Sequence, residues 1–177
     1  MPSITKRYEG LVLRYVLWSP WRMKYILEAS RETKECIFCK AVKGDERENW
    51  VVYKSKHSIV MLNIYPYNTG HVMIAPKRHI PRPDLLSDEE ILDLNKLLII
   101  TLKALDMEYK PHGYNIGMNL GKVAGAGIEE HMHIHVVPRW HGDTNFMPIV
   151  SETKVIPEDL NRTFERVRNA ISKVLKS

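Results

Sequence analysis

Glu130-His131-Met132-His133-Ile134-His135-Val136-Val137-Pro138-Arg139-Trp140 sets three histidines at alternate positions, with apolar residues between and after them. Alternation of this kind is a strand pattern. Successive side chains point to opposite faces, so His131, His133 and His135 are expected on one side and Met132, Ile134 and Val136 in the core on the other. Histidines two apart on a strand stand about 6.6 Å from one another, two strand rises, so one can face a substrate while its neighbours orient it or bind something else. Three uses are open: nucleophile or general acid–base group, metal ligand, and plain packing. The chain has eight histidines, and three in strict alternation argue against packing alone.

Immediately before the row, Gly121-Lys122-Val123-Ala124-Gly125-Ala126-Gly127 is a glycine-containing loop. Its glycines allow close approach, and its backbone N–H groups can be presented to phosphate oxygens. A neutral imidazole is a competent nucleophile toward phosphorus once a hydrogen bond to its other nitrogen fixes the tautomer and donors surround the developing charge. Loop and row therefore read as one site.

The rest of the chain supplies a frame for it. Trp50–Tyr53, Ser58–Ile64 and Gly70–Pro76 read as strands, with a turn at Pro66–Gly70 between the last two, and Tyr114–Leu120 reads as another. Ser87 and Glu90 form a capping box opening the longest helix, whose buried face is expected to be Ile91, Leu94, Leu97, Leu98, Thr101, Leu102 and Leu105. Pro157-Glu158-Asp159 starts a C-terminal helix with Leu160, Phe164, Val167, Ile171 and Val174 on one face. Near the N-terminus, Gly10–Trp18 is β-prone and Trp21 to about Ser30 reads as a helix, with Trp18 and Trp21 as core or interface anchors. The expectation is one α+β domain over residues 1–177, without repeats or linkers.

The 177 residues are enough for a sizeable core, and 44% hydrophobic with 27% charged residues is an ordinary globular balance. No apolar run approaches the ~20 residues of a membrane span, and the first residues lack a signal-peptide pattern, so a cytoplasmic protein is expected. The net charge of +5 favours anionic partners. Because the basic residues are scattered, nucleotides or phosphates fit as well as nucleic acid does.

Cys36 and Cys39 are the only cysteines. Such a spacing suits zinc, since a tight turn can point both thiolates at one ion, and two further ligands complete a tetrahedron. His79, just past the end of the Gly70–Pro76 strand, and His131, at the start of the row, close the count without using His133. A reduced pair with no metal and a redox pair are the alternatives.

The run His131-Met132-His133-Ile134-His135-Val136-Val137 resembles the signature of the histidine triad family, His-φ-His-φ-His-φ-φ with φ apolar. Asn63, Gly70-His71, Asn119 and Gly121 support the resemblance, which covers about residues 36–140. Leu17–Arg22 and Pro138–Pro148 look like the longer prokaryotic branch, described as diadenosine tetraphosphate phosphorylases or hydrolases. The resemblance implies a histidine triad fold, with an antiparallel sheet crossed by the long helix and usually paired as a homodimer. It implies that His133 takes a nucleoside monophosphoryl group, which water or phosphate then removes. His135 and His71 would assist, and Asn63 would contact the ribose. Asn119, Gly121, Gly125 and Gly127 would contact phosphate, and Cys36, Cys39, His79 and His131 would hold a structural Zn2+. The implied partners are AMP, ATP or a dinucleoside polyphosphate. Many members carry Gly-Gln-Ser or Gly-Gln-Thr before the triad; here Gly125-Ala126-Gly127-Ile128-Glu129-Glu130 is a residue longer and lacks that side-chain donor, leaving backbone amides near Gly127 to substitute. Competing readings are a phosphoramidase acting on P–N bonds, a basic zinc-knuckle module that binds nucleic acid, and a non-catalytic nucleotide sensor.

Overall fold

The computed structural model describes residues 35–145 and 156–177. The expectations for Gly10–Ser30 and for Trp18 and Trp21, and residues 146–148 of the Pro138–Pro148 stretch, lie outside them. In chain order the elements are α1 (Ile37–Lys43), β1 (Val51–Lys54), β2 (Ser58–Leu62), β3 (Val72–Pro76), α2 (Asp88–Tyr109), β4 (Gly113–Gly117), β5 (Ile134–Arg139) and α3 (Leu160–Val174), with short 3-10 turns at Pro83–Leu85 and Lys122–Ala124. The five strands form one sheet in the order β1-β2-β3-β5-β4, every neighbouring pair antiparallel. The fold is α+β, as expected.

Alternation along the strands sorts side chains into two cores. Val60, Leu62, Val72, Ile74, Met132, Ile134 and Val136 meet Leu94, Leu97 and Leu105 of α2 and Phe164, Val167 and Ile171 of α3. On the opposite face Ile59, Met61, Met73 and Ala75 meet Phe38 and Ala41 of α1. The long helix begins at the expected capping box: the Ser87 side chain accepts the Glu90 N–H, and the Glu90 carboxylate accepts the Ser87 N–H at 2.8 Å. That carboxylate also takes two hydrogen bonds from Arg78, at 2.9 and 2.7 Å, which holds it well below the usual carboxylate range, at about 2. Glu90 is therefore buried, and Ile91, expected in the core, is 42% exposed. The α3 helix is capped by Asp159, whose side chain accepts the Arg162 N–H, and it buries Thr163, Phe164, Val167, Ala170 and Ile171.

Four strand boundaries are shorter than the sequence suggests, β3 beginning only at Val72. Strand β2 stops at Leu62 and β4 at Gly117. The histidine row enters the ladder only at Ile134. Its partner strand β3 ends in Pro76, which has no N–H to donate, and the Met132 N–H turns instead to the Ile80 carbonyl at 2.7 Å. Residues 131–133 thus lie outside the sheet. Among the described residues no helix is long and apolar enough to cross a membrane.

Candidate functional site

All three histidines of the row lie on the α1 side, as the alternation requires, and the first two touch that helix. Phe38 packs against the rings of His131 and His133 at centroid distances of 4.9 and 4.8 Å, and the His133 ring is 4.8 Å from that of His135. Their surroundings differ by position. His131 lies by Pro76 at one end of β3, while His135 pairs with Met73 toward the other end, where Gly117, His71 and Asn63 lie in neighbouring strands or just beyond them. His133 stands between a metal-type cluster and a polar cluster.

At the first end, Cys36, Cys39, His79 and His131 come together, each offering one ligand atom, all within 4.8 Å of one another. His131 Nδ1 is 3.3 Å from Cys36 Sγ, 3.7 Å from Cys39 Sγ and 3.2 Å from His79 Nδ1, and Cys39 Sγ is 3.2 Å from His79 Nδ1. A tetrahedral zinc ion with ordinary bond lengths needs ligand–ligand edges of about 3.3 to 3.6 Å between two nitrogens or between sulfur and nitrogen. The four residues fit the ion. His131 is further prepared for it, because its Nε2–H donates to the Pro76 carbonyl at 2.8 Å and so leaves the Nδ1 lone pair for the metal. Burial pushes the Cys39 thiol up, and the adjacent Cys36 adds to the effect; a bound cation would reverse it. The Cys-x2-Cys segment is not the tight turn expected from its spacing. Cys36 is the N-cap of α1 and Cys39 sits in its first turn, so the sulfurs are presented by a helix start.

The middle histidine is buried, which pushes its pKa below the ordinary imidazole value and keeps the ring neutral. Its Nδ1 lies 2.9 Å from the His131 carbonyl oxygen. A carbonyl can only accept, so the proton of His133 is on Nδ1 and the lone pair is on Nε2.

A second chain of bonds sets the partner histidines. The Tyr67 N–H donates to His71 Nδ1 at 3.0 Å, so a neutral His71 carries its proton on Nε2, and that nitrogen is 3.0 Å from His135 Nδ1. His135 in turn carries its proton on Nε2 and becomes a neutral donor. Tyr67 also stacks on His71, with centroids 4.8 Å apart and planes 25° from parallel. Gly70 makes this geometry possible: its φ is +75°, and a Cβ there would come within 3.3 Å of Pro138 and 3.5 Å of Leu105 and Tyr109.

Asn63 is half-buried; its N–H donates to the His71 carbonyl at 3.1 Å and its side-chain oxygen accepts the Tyr65 N–H at 2.9 Å. Asn119 reaches across the glycine loop to the Gly125 carbonyl at 3.4 Å. Gly121 and Gly127 are exposed and Gly125 is half-buried, with φ +89° at the end of the 3-10 turn. The loop leaves β4 beside His135 and returns to His131, so both its ends lie at the histidine row. Phe38 and Tyr67 are site residues that the sequence does not advertise. A phenylalanine inside the Cys-x2-Cys spacer is the one available sign of the first; the second acts through a backbone N–H, which no residue type signals.

A sequence model of the HIT domain matches residues 45–142 of this chain. The chain belongs to the HIT domain family. It is 38% identical over 154 residues to an AP-4-A phosphorylase from Mycobacterium tuberculosis, covering 83% of this chain and 79% of that one. It is 29% identical over 136 residues to the adenosine 5'-monophosphoramidase hnt1 of Schizosaccharomyces pombe, covering 77% and 98% of the two chains. Among solved structures, a Zn-bound histidine triad family protein from Mycobacterium smegmatis superposes with a TM-score of 0.63 at 23% identity, over 80% of this chain and 96% of that one. The protein is a HIT-family nucleotide hydrolase or transferase, and its Cys-x2-Cys lies within this fold beside the histidine row. That placement removes the reading as a separate zinc-knuckle module for nucleic acid.

Proposed function

We propose that the protein cleaves a dinucleoside polyphosphate such as diadenosine tetraphosphate at an α-phosphate, through a covalent nucleotidyl group on His133. The observation that carries this is the 2.9 Å bond from His133 Nδ1 to the His131 carbonyl, which leaves Nε2 as the nucleophile. The Nε2 lone pair attacks the α-phosphorus, the bond from phosphorus to the bridging oxygen breaks, and the nucleoside polyphosphate departs. Attack by phosphate or water on the same phosphorus then breaks the P–N bond and restores the imidazole. His135, as a neutral Nε2–H donor, faces the developing charge, with His71 holding its tautomer. Asn63 contacts the ribose, while Asn119 and the amides of the Gly121–Gly127 loop contact phosphate. Phosphate as the acceptor is favoured by the 38% identity to an AP-4-A phosphorylase.

Cys36, Cys39, His79 and His131 would hold a structural zinc ion, which would fix α1 to the row. Both thiols are free, as ligation requires, which suits the reducing cytoplasm. A homodimer is favoured by the edge position of β4, where Ile116 is 45% exposed and Met118 and Leu120, just beyond the strand, are each 37% exposed.

Product chromatography with diadenosine tetraphosphate tests the reading. ADP with ATP formed only in phosphate buffer is the expected result. AMP with ATP in both buffers would make water the acceptor. No cleavage in either, with AMP released from adenosine phosphoramidate, would favour the second reading, for which the monophosphoramidase relative speaks.

A further inference from the structure

Phe38 occupies the spacer between Cys36 and Cys39 in the first turn of α1, and it is wholly buried. Its ring is tilted by 41° against that of His131 and by 35° against that of His133, so one side chain touches a tetrad histidine and the nucleophile together. The two histidines are not equally held. His131 is fixed by the Pro76 carbonyl at Nε2 and by the convergent tetrad at Nδ1. The His133 ring hydrogen-bonds through Nδ1 to the His131 carbonyl, a bond that sets the tautomer only while the ring stays in line with it and that by itself leaves the ring free to tilt away. Contact with a fixed aromatic ring removes that freedom.

The support for Phe38 is itself conditional. Helix α1 spans seven residues, Ile37–Lys43, too few to be stable by hydrogen bonding alone. What anchors its first turn is the packing of Phe38 and Ala41 and the two sulfurs of the tetrad. We propose that Phe38 is a positioning residue for His133, carried on the turn that the tetrad fixes, so that occupancy of the metal site is transmitted to the orientation of the nucleophilic ring through this one side chain. The inference rests on His133 being the nucleophile.

The test is Phe38→Leu, which removes the ring but leaves all four ligands, measured beside Phe164→Leu as a control that removes a buried ring from the other face. In Phe38→Leu the metal content is expected to stay at about one equivalent, with kcat falling about tenfold and KM within about twofold. In Phe164→Leu thermal stability falls while kcat stays within about twofold. Nitrogen-15 spectra of the histidine rings give a readout independent of turnover. The wild-type, metal-loaded protein should show His133 in the single Nδ1–H form, and both Phe38→Leu and the chelated wild type should show a mixture of tautomers. A wild-type kcat with a single tautomer in Phe38→Leu would overturn the proposal, as would a chelated protein whose His133 signals are unchanged. Should Phe38→Leu not fold, Phe38→Met, closer in volume, is read by the same criteria. If the wild type cleaves no nucleotide, the proposed function fails, while the ring spectra still decide whether Phe38 and the tetrad hold His133.

Discussion

Met132, Ile134 and Val136 lie against α2 and α3 in an apolar core, while His131, His133 and His135, from the same seven-residue run, point to the opposite face, where Phe38 of α1 packs on the first two. The first face is held by area removed from water, which tolerates exchange of one apolar group for another of similar volume. The second is held by directed bonds: the Pro76 and His131 carbonyls, the Tyr67 N–H and a four-residue tetrad. A residue on one face should therefore fail by lowering stability, and a residue on the other by lowering turnover.

The largest expected effect breaks that division on the histidine side. His133→Ala should lower kcat by about three orders of magnitude or more, with thermal unfolding and metal content close to wild type. An equal loss of stability would show that the row is structural. On the opposite face, Leu97→Ala is expected to cost about 2–5 kcal/mol in urea unfolding, because Leu97 is 1% exposed between the sheet and α3. Activity per folded molecule should be retained, so a tenfold fall in kcat would mean that the faces are coupled. A smaller effect sharpens the role of the long helix: Ser87→Ala removes one side of the capping box and should cost about 1 kcal/mol, again without change in kcat.

The last effect concerns Glu90 and is read through pH. Its carboxylate is held at about 2 against an ordinary 4.5, first by the Arg78 hydrogen bonds and then by the Ser87 N–H. A depressed carboxylate stabilises the fold above its unfolded value and loses that contribution as pH falls through the folded one. The stability difference between wild type and Glu90→Gln should thus be full above pH 4.5 and shrink as pH approaches about 2. A difference independent of pH across that window would contradict the assignment.

The division between the faces was legible in the sequence because alternation is a property of the strand itself. The capping box was legible for the same reason: Ser87 and Glu90 need only each other. The tetrad could be read from residue types that share one chemistry. What escaped depends on contacts between distant segments. Ile91 turned outward because Arg78, twelve residues before Glu90, draws that carboxylate inward. The row stayed outside the sheet as far as His133 because β3 ends in a proline and Ile80 offers a carbonyl elsewhere. Phe38 and the Tyr67 N–H act only through rings and lone pairs brought to them by the fold. The family resemblance points to His133 as the proposed nucleophile, and the bond from its Nδ1 is the physical support for that proposal.

The central claim is that His133 Nε2 becomes covalently bonded to phosphorus. Mass spectrometry of enzyme mixed with diadenosine tetraphosphate in phosphate-free buffer and quenched rapidly at alkaline pH, where phosphoramidates persist, tests it directly. An adenylyl group located on His133, which disappears when phosphate is added before the quench, is the result predicted. Turnover without an adduct, or with the adduct on His135 or His71, would contradict it.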